Sequence, residues 1–376
     1  MRHQYARARS LSAVSYAAQK AVAVSLTPVY RDRETGHVLS VAPAQPAAND
    51  QLPRQPQVRH ATPAPSQQQR PAHIQVRTPF HHTGKIHPNR PPALLGDMEI
   101  ATWQIALERR NFSCGPIDGD WGMRSRRAVS QFQKSMGLVI SGDMDDATRV
   151  CLSEPSLPFC SYIVTAEDMA KVVPTPTTWK GKAQATYLGY NDAWEMLAEK
   201  FHTTPVFLQQ LNPECAAPQA GVSLQAPNVE PATPLPPLGQ IHILLSETTL
   251  LLFDRQGKCV GCFPCSIAAD KNKRPAGDLH VIVIAPNPNY TFNPELFPDV
   301  AAQEGIKNKL VVPPGPNNPV GMAWIGLSLP GYGIHGTPEP SAISRTGSKG
   351  CFRLSNWNAV RLLGKVSKGT SVVVEP

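Results

Sequence analysis

No stretch of about eighteen consecutive apolar residues occurs in this chain, which excludes an ordinary transmembrane helix. Charge is also sparse, at 17% Asp, Glu, Lys and Arg against about 25% in an average globular protein. Acidic residues are the scarcer sign, and the formal net charge is +8. That surplus invites a nucleic-acid reading, but its position argues against one. Residues 1–90 hold twelve Lys/Arg and three Asp/Glu, so the rest of the chain sums to −1. The basicity belongs to a tail, read as a solvated linker, and the remainder is nearly neutral.

Proline is what the chain has in excess, with 39 among 376 residues, about twice the usual frequency. The length predicts two to four domains joined by loops and linkers. Residues 1–92 are rich in Pro, Gln, Ala, Arg and His, lack periodicity and hold seven of the eleven histidines. They are expected to be disordered, with His81-His82 a solvated pair rather than a metal site. The opening nine residues resemble the basic start of a secretory signal, but the stretch behind them is only mildly apolar and is interrupted by Lys20.

The eight cysteines fall at 114, 151, 160, 215, 259, 262, 265 and 351. Cys259, Cys262 and Cys265 have the spacing of a metal knuckle, yet no fourth Cys or His lies nearby to complete a tetrahedron. The segment also reads as an extended strand, so small buried or disulfide-forming residues are expected there.

Residues 93–155 carry a helical period: Ile100, Trp103 and Leu107, then Val129, Phe132 and Met136, then a shorter helix from Asp145 to Leu152. A turn-rich loop with Asp118-Gly119 and Gly122 separates the first two. Gln104 and Leu107, Asp118-Gly119 to Gly122, Ala128-Val129 to Phe132-Gln133, and Gly142, Asp145, Thr148 and Leu152 resemble the three-helix peptidoglycan-binding module. Those positions form cores and turns, and support the fold better than any ligand contact.

Residues 160–228 predict a small α/β unit. Tyr162–Val164 is a short strand; Trp194, Leu197, Ala198 and Phe201 mark one helix; Thr204-Pro205 starts another that ends at Asn212-Pro213. The alternation up to Pro227 closes it as a strand. The pattern resembles a LysM-type glycan-binding unit with an insertion of roughly 25 residues after its first strand, and lacks the family's Gly-Asp-Thr-Leu. A plain α/β spacer is the other reading.

Residues 229–239 read as a stiff proline linker. From 240 to 376 the period becomes two and β-branched residues dominate. Strands are expected over 241–245, 249–253, 260–267, 279–284, 323–327 and 370–374, making a mostly β domain. This domain holds Gly-Ile-His335-Gly336-Thr and Ser348-Lys349-Gly350-Cys351-Phe-Arg353-Leu. A thiol is a weak nucleophile until a base removes its proton, and an imidazole is the usual agent. The glycine before Cys351 lets a carbonyl approach and leaves backbone N–H groups for an oxyanion.

These stretches, with Pro275-Ala-Gly277 and Val312-Pro-Pro-Gly315-Pro-Asn-Asn318-Pro319-Val-Gly321, resemble the YkuD-type L,D-transpeptidases. The resemblance implies Cys351 as nucleophile, His335 as base, and the Gly336 carbonyl as the group that fixes the imidazole. It also implies that the backbone N–H groups of Gly350 and Cys351, with Lys349, receive the oxyanion. Arg353 suits a substrate carboxylate and Ser348 shapes the loop. Lys349 stands where many relatives carry His.

The expected fold is therefore multidomain: a disordered tail, an all-α peptidoglycan-binding module, a LysM-like unit and a mostly β catalytic domain. The expected activity is acyl transfer on tetrapeptide stems through a thioester, joining stems between diamino acids or attaching an envelope protein. Rival readings are a carboxypeptidase or hydrolase using the same thioester, and a non-catalytic peptidoglycan-binding scaffold. A papain-like protease is disfavoured because its nucleophile precedes its histidine. No metal or organic cofactor is called for, the partners are peptidoglycan peptide and glycan rather than nucleic acid, and the compartment is the bacterial cell envelope.

Overall fold

The computed structural model describes residues 94–376, with side chains from residue 98 onward. The expectations for the tail, its signal-like start and His81-His82 lie outside the described residues.

Three helices open the described chain: α1 (Leu94–Arg109), α2 (Met123–Met136) and α3 (Asp146–Leu152). Leu107, Val129, Phe132 and Leu152 meet at their centre. The polar motif residues have a structural task. Buried Gln104 donates to Asp118 Oδ1 (2.9 Å) and accepts from the N–H groups of Asp118 and Gly119 (3.1 and 3.0 Å). Gln133 treats the second loop alike, accepting from Ser141 and Gly142 and donating to Thr148 Oγ1. A buried amide that satisfies loop N–H groups replaces the water those groups would otherwise need. Asp145 caps α3 by accepting from Thr148 N. Met136, placed on the apolar face by its spacing, is 49% exposed because α2 ends at the left-handed Gly137 directly after it.

The next unit pairs β1 (Phe159–Ile163) antiparallel with β2 (Ser223–Pro227) and packs α6 (Ala193–Lys200) and α7 (Pro205–Leu211) on them. Thr204 caps α7 with Pro205 at its first position, as the Thr-Pro pair predicts. The inserted stretch forms α4 (Ala166–Met169) and α5 (Trp179–Gln184). Trp194, Leu197, Leu208, Leu224 and Ala226 make its core.

The proline-rich stretch leads straight into the last domain, where Leu235 and Leu238 are already core residues. Its strands are β3 (Leu238–Leu244), β4 (Thr249–Asp254), β5 (Cys259–Pro264), β6 (Gly277–Pro286), β7 (Tyr290–Phe292), β8 (Leu310–Val312), β9 (Ala323–Leu327), β10 (Gly333–His335), β11 (Phe352–Arg353) and β12 (Ser371–Glu375). Helices α8 (Pro298–Glu304) and α9 (Asn356–Leu362) complete it. Eight strands form one sheet in the order β11-β10-β9-β6-β12-β3-β4-β5, while β7 and β8 pair separately. Past Pro264 the chain bridges the opposite edge: Ser266 and Arg353 exchange backbone hydrogen bonds of 2.9 and 3.0 Å. The sheet therefore curls until its two edges meet, leaving neither edge open next to Cys351.

The three units are locked together. Cys262 on β5 exchanges backbone hydrogen bonds of 2.8 Å with Asn111 and Ser113 of the helical module. Leu188 of the central unit donates to Pro314 O and accepts from Asn317 N. Where all three converge, the buried Glu108 carboxylate forms an ion pair with Arg361 Nη1 (3.1 Å) and accepts from His202 Nδ1 (2.9 Å), and Trp357 stacks on His202.

Candidate active site

His335 is the last residue of β10, a strand too short to be seen in the hydrophobic pattern because glycine and loop residues flank it. The parallel pairing of β10 with β11 puts His335 opposite Arg353, and the antiparallel pairing with β9 puts it opposite Trp324. Side chains alternate faces along a strand, so Trp324, His335 and Arg353 share one face, and Cys351 lies just before β11, two residues ahead of Arg353. Trp324 stacks on the imidazole with centroids 5.6 Å apart at 22°.

The imidazole's other contact decides its chemistry. His335 Nδ1 lies 2.6 Å from the Gly336 carbonyl oxygen. A carbonyl can only accept, so Nδ1 carries the proton and Nε2 is left with a bare lone pair. Burial pushes the His335 value down to about 4, the Gly336 contact opposes this, and Arg353 adds to it. At neutral pH the ring is an uncharged base.

Cys351 Sγ donates to Gly331 O at 3.6 Å, beside the start of β10. Burial pushes its thiol up to about 11, partly offset by the Gly333 N–H and by Arg353. At neutral pH the thiol and the imidazole are thus both uncharged. This differs from a preformed thiolate–imidazolium pair.

The loop before Cys351 is held by Ser348, whose Oγ donates to Cys351 O (2.5 Å) and accepts from Gly350 N (3.2 Å). Ser348 Oγ thus ties residues 350 and 351 back onto the start of the loop. The Gly350 N–H is engaged by that hydroxyl, so it reaches an oxyanion only if it leaves Ser348. Lys349 places its ammonium 3.6 Å from the Phe297 ring centroid, a cation–π contact that no spacing in the sequence announced. Arg353 Nη2 donates to Thr346 O, Thr346 Oγ1 and Gly347 O, at 3.1, 3.0 and 2.8 Å. Its Nε is buried with no partner. Nη2 is thus spent on the loop that precedes Cys351.

Among the described residues no group of three or more His, Cys, Asp or Glu side chains is arranged to hold a metal ion, and Cys259, Cys262 and Cys265 are free thiols on or beside β5.

Residues 239–374 match the sequence model of the YkuD family, the L,D-transpeptidase catalytic domain. This domain is an L,D-transpeptidase catalytic domain. Residues 97–152 match the peptidoglycan binding domain family, which is the three-helix module. The YkuD protein of Bacillus licheniformis is 29% identical over 184 residues, covering 48% of this chain and 93% of that protein. YkuD of Bacillus subtilis strain 168 is 26% identical over 184 residues, 49% of this chain and 93% of its own length. Among solved structures, an L,D-transpeptidase from Mycobacterium smegmatis is 18% identical with a TM-score of 0.29, covering 36% of this chain and 58% of that one. At that level of likeness the solved structure adds nothing to the sequence matches.

Both matched domains are of kinds that act on peptidoglycan, which places the substrate in the bacterial cell envelope. Among the described residues no helix is long and apolar enough to cross a membrane.

Proposed function

We propose that this YkuD-type domain works as a cysteine acyltransferase on tetrapeptide stems, with Cys351 as nucleophile and His335 as base. The single observation that supports it most is the His335 Nδ1 contact with Gly336 O, because it leaves Nε2 ready to take the thiol proton. In the proposed step the Cys351 sulfur attacks the carbonyl of the third-position diamino acid while its proton passes to His335 Nε2. The tetrahedral oxyanion is received by backbone N–H groups of the 349–351 segment. Collapse breaks the bond to the terminal D-alanine, which leaves as an amine carrying the proton from His335. The thioester then acylates a second amine, either a neighbouring stem's diamino acid or a lysine of an envelope protein, and the sulfur recovers its proton.

The three-helix module holds the enzyme on its polymer and raises the local concentration of stems. Retention of the central unit as a LysM-like glycan binder belongs to the same reading, supported by its paired β1 and β2 with α6 and α7 packed on them and α4 and α5 as the inserted stretch.

Mass spectrometry of muropeptides after incubation with tetrapeptide-bearing peptidoglycan tests the assignment. Dimers joined between diamino acids, with release of D-alanine, are the expected products. Tripeptides without dimers would turn the reading to hydrolysis, and unchanged muropeptides with both native protein and Cys351→Ala would contradict it.

A further inference from the structure

Gly336, whose carbonyl holds His335, packs against a side chain that another unit of the protein fixes in place. Gly336 has no side chain, and its Cα lies against the Asn356 amide: a Cβ there would stand 2.2 Å from Asn356 Oδ1. The same oxygen accepts from Met322 N at 3.1 Å and faces Gly321, whose left-handed backbone (φ 63°) brings it against Gly336. The Asn356 amide is thus the wall behind the histidine loop, and which way round it sits matters. With oxygen toward Met322 the wall fits; with nitrogen there, two N–H donors would face each other.

Asn356 is turned the right way by Glu199. The Asn356 Nδ2 donates to both carboxylate oxygens of Glu199 (3.1 and 3.0 Å) and to Pro316 O (3.1 Å). Burial pushes the Glu199 carboxyl up to about 7, yet it keeps at least one acceptor oxygen in either protonation state, and the Pro316 carbonyl only accepts, so the NH2 side points at them and Oδ1 points at Met322 and Gly336. Glu199 lies on α6 of the central unit, 157 residues from Asn356, and is itself held by the Tyr190 hydroxyl at 2.9 Å.

We propose that Glu199 is a positioning residue for the acyl transfer: through Asn356 it sets the Gly336 carbonyl, and so the tautomer and aim of His335. The central unit is then part of the catalytic scaffold, whatever glycan it binds. This inference rests on the assignment of His335 and Cys351. It is recognised by an effect on imidazole orientation rather than on folding alone.

The test uses the full chain and the rate at which meropenem acylates Cys351, followed by intact mass over pH 4–9, alongside melting temperature. Native protein that is acylated while Cys351→Ala is not secures the underlying assignment separately. Glu199→Leu, folded, is expected to acylate at least about tenfold more slowly and to shift the acid limb of the pH profile, as loss of tautomer control does. Glu199→Gln keeps one oxygen for Asn356 Nδ2 and is expected to stay within about threefold of native. A folded Glu199→Leu with native rate and native acid limb overturns the proposal. Should Glu199→Leu not fold, Asn356→Ser takes its place: a rate at least about tenfold below Glu199→Gln supports the proposal, and equal rates overturn it.

Discussion

Trp324 and His335 stand opposite each other on neighbouring strands, and the indole lies nearly parallel to the imidazole at a centroid separation of 5.6 Å. Together with the Gly336 contact this leaves the ring little freedom: one face is covered and one nitrogen is tied. Trp324→Ala is expected to leave the fold intact but let the imidazole swing, slowing Cys351 acylation about tenfold, as imprecise placement of a catalytic group does. Stopped-flow or mass-resolved acylation rates, with the melting temperature as control, check this.

The neutral resting pair has a pH signature. With burial holding His335 near 4 and Cys351 near 11, both stay uncharged across the neutral range. Falling pH protonates the base, so kcat/KM is expected to be flat from about pH 8 to about pH 5 and to drop about tenfold per unit below the His335 value. A preformed ion pair would instead place its acid limb where the thiol protonates, and iodoacetamide would alkylate it fast at pH 6. Slow alkylation at pH 6 that climbs toward pH 11 is the expected result.

The junction of the three units supplies a stability prediction. Burial alone would raise the Glu108 carboxyl, but Arg361 and His202 outweigh it and hold it at about 2. A folded value below the ordinary 4.5 means the contribution is present above that pH and is lost as pH falls through about 2. His202, lowered by burial, acts in the same direction, because the unfolded chain binds its proton more readily. Arg361→Met leaves a buried carboxylate without its cation and is expected to cost about 3 kcal/mol, read by denaturant titration at pH 7. It should also raise the pH at which the protein begins to melt.

Gly321→Ala should be far more damaging than its size implies. The residue holds a left-handed backbone at φ 63°, and the added methyl would stand 2.0 Å from Asn356 Oδ1 and 2.6 Å from the Gly336 carbonyl carbon. Poor soluble yield or a large drop in melting temperature is expected, and a native-like variant would show that the wall behind His335 is softer than described.

How far the sequence could be read depended on the length and regularity of each element. Strands β3 and β12 bury β-branched residues at a period of two, Ile241 and Ile243 in one and Val372 and Val374 in the other, and β4 is a short continuous apolar run, so their sheet is visible in the sequence. The helices of the first module were visible for the same reason at a period of 3.6. Strands β10 and β11, of three and two residues, carry the site but are too short to show a period. The separate pair of β7 and β8, and the aromatic stack of Trp179, Phe292 and Phe297 beside it, lay in an irregular stretch that no pattern marked. The proposed pair, Cys351 and His335, stands out in the sequence because family motifs surround it. The braces do not: Glu199 meets Asn356 across 157 positions, and Lys349 meets Phe297 across 52, contacts that only the packing of separate elements creates.

The most direct measurement is the intact mass of the full chain after incubation with meropenem, for native protein, His335→Ala and Cys351→Ala. If an imidazole-activated sulfur does the chemistry, native protein gains one adduct, His335→Ala gains it about a hundredfold or more slowly, and Cys351→Ala gains none. An adduct that forms on Cys351→Ala, or at an unchanged rate on His335→Ala, would contradict that account.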